Sequence, residues 1–255
     1  MRSMFRAAAV AAVLVVGLAA CGDDDDSDEA SSEAAGETTT TTEAGLPAEA
    51  CDAVLAVGTA LTSGPEGPPT PEYLEGELLP TVEAVEATGA EELAGPAEAM
   101  RAAIDAALAG DEAAEDQAFG AYGEMTAAVH TGCGFETADV TAVDYAFEGL
   151  PEEMPAGQVS IAMTNEGDEE HEMVLFRRND GETRGIEELL ELPEAEAEEA
   201  VTFSGVTFAP PGETGYLATE LEPGTYFSVC FIPVGGAEDG PPHFTEGMAA
   251  QFEVT

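Results

Sequence analysis

Leu221-Glu222-Pro223-Gly224-Thr225-Tyr226-Phe227-Ser228-Val229-Cys230 and, after a gap of twelve residues, His243-Phe244-Thr245-Glu246-Gly247-Met248 decide the reading of this 255-residue chain. The first stretch is a Pro-Gly turn feeding a β-rich run that ends on a cysteine. The second brings an imidazole and a thioether. Upstream, Asn165-Glu166-Gly167-Asp168-Glu169-Glu170-His171 adds another imidazole. Around these stretches the apolar pattern has a period of two, from about Asp139 onward. Val143, Tyr145 and Phe147 alternate with smaller or acidic residues, as do Val159, Ile161 and Met163, while Met173 and Leu175 stand beside Val174 and Phe176. Runs at 201–203, 215–218, 225–232 and 251–254 follow, punctuated by Asn179-Asp180-Gly181, Pro210-Pro211-Gly212 and Pro223-Gly224. One insertion, Glu187 to Ala200, reads as helical and acidic. About seven short strands in roughly 115 residues predict an antiparallel β-sandwich over residues 137–255.

His171, Cys230, His243 and Met248 have the donor chemistry of a type 1 copper site: two imidazoles, a thiolate and a weak axial thioether. Thiolate and thioether suit Cu(I), and imidazole suits both oxidation states, so such a site exchanges one electron with little geometric change. The motifs also carry a family resemblance. Residues 165–171 match the N-x-G-x-x-x-H with which cupredoxins deliver their first histidine from a strand end. Residues 221–230 match the PGTY-type strand leading to the cysteine ligand, and Pro242 to Met248 match the second histidine and the methionine. Residues 139–255 therefore resemble a cupredoxin of the plastocyanin and azurin kind.

That resemblance implies one copper ion at a pole of the sandwich, with Pro241, Pro242 and Phe244 covering it and an edge of His243 left as the route for electrons. Two positions depart from the family. The segment from Phe231 to Pro242 is longer than is common, with Val234 to Gly240 reading as an excursion whose ends can still meet. Glu172 follows His171, where many blue copper proteins carry an asparagine that braces the cysteine loop.

Residues 47–136 belong to a different regime, rich in Ala, Glu and Leu with apolar residues at helical spacing. Cys51, Val54, Leu55, Gly58 and Leu61 form one stripe; Leu74, Leu78, Val82 and Val85 form a second, kinked or split by Pro80. Leu93, Met100, Ile104 and Leu108 make a third, and Phe119, Tyr122, Met125, Val129 and Cys133 a fourth. Four amphipathic helices of about 15 residues predict a small bundle. Its up-down-up-down course brings Cys51 and Cys133 to one end, where they should pair as a disulfide outside the cytoplasm. Of the four cysteines, Cys230 is then the free one. No Glu-x-x-His pair of a carboxylate-bridged di-metal bundle occurs here, and His130 reads as a polar helix-end residue.

The chain starts MRSMFRAAAVAAVLVVGLAACG. Arg2 and Arg6 precede an apolar stretch too short to span a bilayer, so residues 1–20 read as a signal peptide. Leu18-Ala19-Ala20-Cys21 resembles the lipobox of bacterial lipoproteins, which implies diacylation of Cys21 and anchoring at the extracytoplasmic face of the cell membrane. Residues 21–46 are acidic and Thr-rich and read as a disordered tether.

Six Lys+Arg against 53 Asp+Glu give a formal net charge of −47, which excludes nucleic acid as a partner because phosphate would be repelled. The same charge reads as solvation of the whole surface or, alternatively, as steering of a basic redox partner. Copper oxidases need further histidines, and only His130 is left over. There is no zincin second histidine, no G-x-S-x-G and no phosphate-cradling loop, so catalysis is not expected. The readings left open are electron transfer through one copper, copper storage or handover, and a metal-free interaction module.

Overall fold

The computed structural model describes residues 45–65, 68–237 and 240–255. The expected signal peptide, the lipidation site Cys21 and the tether up to residue 44 lie outside the described residues. No described helix is long and apolar enough to cross a membrane.

The helical part opens with α1 (Ala48–Thr62). After it, Thr70 Oγ1 accepts the N–H of Tyr73 at 3.2 Å and Pro71 takes the first helical position, which starts α2 (Pro71–Tyr73). A π-helical turn over Leu74–Leu78 then leads into α3 (Leu79–Ala87). The wider turn sits one residue ahead of Pro80, whose ring crowds the carbonyl four residues back and whose nitrogen cannot donate. The expected kink at this proline takes that form. α4 (Glu91–Leu108) and α5 (Ala114–Gly132) complete the bundle. The apolar stripes meet in one core centred on Val54, Val57, Val82, Met100 and Met125. Leu108, at the end of the third stripe, faces out instead. Cys51 and Cys133 are joined in a disulfide, with their Cα atoms 5.8 Å apart, and tie the start of α1 to the end of α5.

The β part consists of β1 (Glu136–Val143), β2 (Ala146–Glu148), β3 (Glu153–Met154), β4 (Gly157–Asn165), β5 (His171–Arg178), β6 (Val201–Ala209), β7 (Thr214–Leu221), β8 (Gly224–Val229) and β9 (Ala249–Val254). They form two packed sheets, in the order β2-β1-β4-β7 and β3-β9-β8-β5-β6. The helical part thus precedes a two-sheet β-sandwich, as the pattern predicts. Two of its pairings, β1 with β4 and β3 with β9, are parallel within otherwise antiparallel sheets. Between the sheets lie Ile161, Met163, Met173, Leu175, Tyr226 and Phe252, and the same core takes in Cys230 and Met248.

The first strand differs from the sequence reading. Val143, Tyr145 and Phe147 are not one strand, because the chain reverses at Asp144-Tyr145 and Val143 pairs with Ala146. The core-facing residues of β1 are Ala138, Val140 and Ala142. Tyr145 adopts φ 69°, a left-handed conformation that side-chain sterics disfavour and that no tyrosine signals in a sequence.

Helix α5 lies on the outer face of the β4–β7 sheet. Tyr122 donates its hydroxyl to Ala218 O at 3.5 Å, Thr126 donates to Tyr216 O at 3.1 Å, and His130 Nδ1 is 3.0 Å from Ser160 Oγ. This explains why β4 is buried on both faces: Val159, Ile161 and Met163 face the sandwich, while Ser160 and Ala162 face the helices. On the far side, the acidic insertion forms α6 (Ile186–Leu190) and α7 (Glu194–Ala200), separated at Pro193, and covers Val174, Phe176 and Phe227.

Candidate metal centre

Four backbone connections bring the candidate donors together at one pole of the sandwich. His171 is the first residue of β5, and Cys230 follows the last residue of β8. His243 opens a 3-10 turn, His243–Glu246, and Met248 precedes β9. Phe244 N–H donates to Cys230 O, Met248 N–H to His243 O, and Cys230 N–H to Met248 O, at 3.0, 3.2 and 3.1 Å. These three bonds close Cys230, His243 and Met248 into one compact loop. Gly247 ends the turn at φ 119°, where a side chain would be strained.

The long segment between Cys230 and His243 does not spread the donors apart. Pro233 and Pro242 form an antiparallel bridge, Val234 N–H donates to Pro241 O at 2.9 Å, and His243 N–H donates to Ile232 O at 2.8 Å. The excursion is a ribbon pinched at its base, so its length is absorbed beyond the site.

The first histidine is delivered by a loop built around Asn165. Its fully buried amide donates to Glu169 O and Ala209 O at 2.7 Å each, and its Oδ1 accepts the N–H of Gly167 at 2.9 Å. Gly167 has a steric reason to be glycine. A Cβ there would lie 2.4 Å from Asp144 Oδ1 and 2.7 Å from His171 Nε2.

His171, Cys230, His243 and Met248 are all fully buried. One donor atom each from His171, Cys230 and His243 lies within 4.8 Å of the others. The two Nδ1 atoms are 3.1 Å apart, and Cys230 Sγ is 3.4 Å from His243 Nδ1. For metal bonds of about 2.0 Å to nitrogen and 2.3 Å to sulfur, tetrahedral edges are about 3.3 and 3.5 Å. Those two edges therefore already have the span of a metal site.

The outward nitrogens make the same point. His243 Nε2 lies 3.2 Å from Glu169 Oε2, and His171 Nε2 lies 3.4 Å from Asp144 Oδ1. Among the described residues His171 Nε2 makes no hydrogen bond, whereas His243 Nε2 is within hydrogen-bond reach of its carboxylate. A proton on His243 Nε2 would leave its Nδ1 lone pair facing His171 Nδ1 and the sulfur, where a shared proton or a cation can sit. Met248 is fully buried and belongs to the core cluster that contains Cys230.

The electrostatics follow from burial. Desolvation and the neighbouring His243 hold the His171 imidazole below its ordinary pKa, so it stays a neutral donor. Burial pushes the Cys230 thiol up to about 12, with the charge of Glu172 adding to the effect. A cation would therefore have to displace a proton from sulfur. Glu172 N–H points at Cys230 Sγ from 3.5 Å, while its carboxylate accepts the N–H of Phe231 at 2.8 Å. Glu172 thus ties the first histidine strand to the cysteine loop, the bracing place expected of an asparagine. Its burial raises that carboxyl to about 7.

The expected exposed edge of His243 is absent, which corrects the sequence reading. The ring is fully buried, with its outer nitrogen against Glu169 and the Tyr145 ring edge-on at 5.1 Å. Sequence reasoning missed Asp144, Tyr145 and Glu169 because each is an ordinary residue in an acidic chain. Glu169 alone has a sequence signal, its place in the interval between Asn165 and His171. His130, the remaining histidine, packs against Tyr216 and Ser160 at the helix–sheet boundary.

No protein-family model matches this chain, and no curated protein sequence is similar to it. Among solved structures, auracyanin B is 22% identical over 47% of this chain and 88% of its own, with a TM-score of 0.32. Auracyanin A, described as a "blue" copper protein from Chloroflexus aurantiacus, is 21% identical over 48% of this chain and all of its own, with a TM-score of 0.31. Rusticyanin from Thiobacillus ferrooxidans is 18% identical over 47% and 78%, with a TM-score of 0.29. The β part of this chain is a two-sheet sandwich with a buried His-Cys-His cluster at its pole.

Proposed function

We propose that this protein is a lipid-anchored, extracytoplasmic copper protein that carries single electrons through one type 1-like site. The observation that supports this most directly is the pair of Nδ1 atoms 3.1 Å apart, with Cys230 Sγ 3.4 Å from one of them and each outer nitrogen turned to a carboxylate. Two imidazoles and a thiolate with a methionine nearby select copper among common metals, and copper supplies a one-electron couple between Cu(I) and Cu(II). His171, Cys230 and His243 would hold it as donors, with Met248 as a candidate thioether donor. The sandwich and the three backbone bonds of the 230–248 loop keep these groups in place through a change of charge.

An electron carrier suits the site better than an oxidase does. A second copper centre would need further histidines, and His130 is engaged with Ser160. Anchoring through Cys21 and delivery outside the cytoplasm accord with the signal-like first twenty residues and with the Cys51–Cys133 disulfide. The net charge of −47 favours a basic redox partner, whose association rate would fall steeply with ionic strength.

The test is copper titration of the reduced protein lacking residues 1–20, followed by optical and electron paramagnetic spectra. One ion per chain, an intense sulfur-to-copper band, its loss in Cys230→Ser and reversible one-electron voltammetry are expected. Stoichiometric, colourless Cu(I) binding without voltammetric response would replace electron transfer by storage or handover. A protein that takes up no copper would refute the metal reading altogether.

A further inference from the structure

Glu169 is held from three directions. Its Oε1 accepts the Tyr145 hydroxyl at 2.8 Å, and its Oε2 faces both His243 Nε2, at 3.2 Å, and the backbone N–H of Gly235. The donors come from three separate parts of the chain: the β1–β2 turn, the 3-10 turn that opens with His243, and the ribbon that lengthens the segment after Cys230. A carboxylate with three donors has one orientation and is favoured as the anion. Two further features serve this contact. Tyr145 keeps its left-handed φ of 69°, which is sterically disfavoured, and so places its ring edge-on to His243 with its hydroxyl on Glu169. Gly235, at φ 68°, turns the ribbon so that its N–H faces the same carboxylate.

We propose that Glu169 is a positioning residue for the metal centre: it holds the proton of His243 on Nε2, which leaves Nδ1 for the ion, and its charge biases the bound ion toward the higher oxidation state. The proposal rests on the copper reading above. It also gives the long Cys230–His243 segment a purpose, since the ribbon carries one of the three donors. A bland alternative is that Glu169 only staples three loops together. That role would be kept by glutamine, whose amide oxygen can accept from His243 and Gly235 while its NH2 faces a Tyr145 hydroxyl free to turn and accept, and which carries no charge.

The experiment compares wild type, Glu169→Gln and Glu169→Leu. In metal-free protein, nitrogen–proton correlation spectra of the imidazoles report the tautomer of His243. Wild type and Glu169→Gln should both show the Nε2–H form, and Glu169→Leu should lose it. In copper-loaded protein, Glu169→Gln should weaken the preference for Cu(II) over Cu(I) at least tenfold, a rise in potential of about 59 mV, with the optical band retained. An unchanged tautomer in Glu169→Leu, or a potential in Glu169→Gln that stays at the wild-type value, overturns the proposal while a coloured wild type leaves the copper reading intact. A wild type that binds no copper defeats that reading and this inference with it.

Discussion

Substituting Gly167 by alanine should damage the metal centre through a single methyl group. The φ of Gly167 lies outside the left-handed region, so alanine is compatible with the backbone and the damage comes from contact alone. The new Cβ would lie 2.4 Å from Asp144 Oδ1 and 2.7 Å from His171 Nε2. Against an ordinary contact of about 3.5 Å, both partners must retreat by roughly 1 Å. Asp144 can move only by giving up the N–H of Asp168, which it accepts at 3.0 Å, and the fully buried His171 ring has no free space. Overpacking of this kind costs about 1–3 kcal/mol. At about 2–4 °C per kcal/mol for a chain of this size, the melting temperature should fall by roughly 2–12 °C. A displaced His171 should also weaken metal binding about tenfold or more, equivalent to about 1.4 kcal/mol. Thermal unfolding of metal-free protein and a competitive copper titration measure the two effects. Gly120→Ala is the control, because a Cβ in that part of α5 meets nothing within 4 Å and should stabilise by up to about 1 kcal/mol. If Gly167→Ala melted and bound copper like wild type, the close approach of loop, aspartate and histidine would be wrong.

Three further outcomes test the rest of the molecule. Replacing Cys51 and Cys133 by alanine opens a loop with a sequence separation of 82, and the chain-entropy relation puts the loss near 4.5 kcal/mol; urea unfolding that shows under 1 kcal/mol would mean the unfolded chain is not restrained by this bridge. Gly58→Ala raises helix propensity but sets a Cβ 2.1 Å from the Tyr122 hydroxyl, so the expected result is a net loss of about 1–3 kcal/mol rather than a gain, measured by the same unfolding curves. Glu182 is held down to about 2 by the Arg184 guanidinium and nearby N–H groups, so its contribution is complete above the ordinary carboxylate pKa and disappears as pH falls from about 4.5 to 2; in Arg184→Met this part of the pH–stability curve should flatten, and an unaltered curve would contradict the pairing.

How legible each part was depended on whether its signal is local. Residues 221–230 and 243–248 hold a turn, a strand and three donors in the order in which the fold uses them, so the sandwich and its pole could be read directly. The helical stripes were equally plain because each repeats over several turns. The Asp144-Tyr145 reversal was hidden, since Tyr145 in a left-handed turn looks like one more alternating apolar residue between Val143 and Phe147. Also hidden was the contact between the two halves. The burial of Ser160 and Ala162 on β4 reflects α5 packed against that strand, and a strand's own alternation says nothing about what covers its outer face.

The least legible feature is the one that sets the character of the site. Among 53 acidic residues, composition treats Asp144, Glu169 and Glu172 as more surface charge. What separates them from the rest is what each faces. Asp144 looks onto the outer nitrogen of His171, Glu169 onto that of His243, and Glu172 holds the peptide after Cys230. The two histidines and the cysteine thus each have their own carboxylate, and each carboxylate sits on a loop or strand end brought there by long-range pairing. A motif of ligands fixes which ion can be held. The acids behind the ligands determine how strongly the protein favours the ion's more positive state, and these are the positions at which two chains with one ligand motif can diverge most.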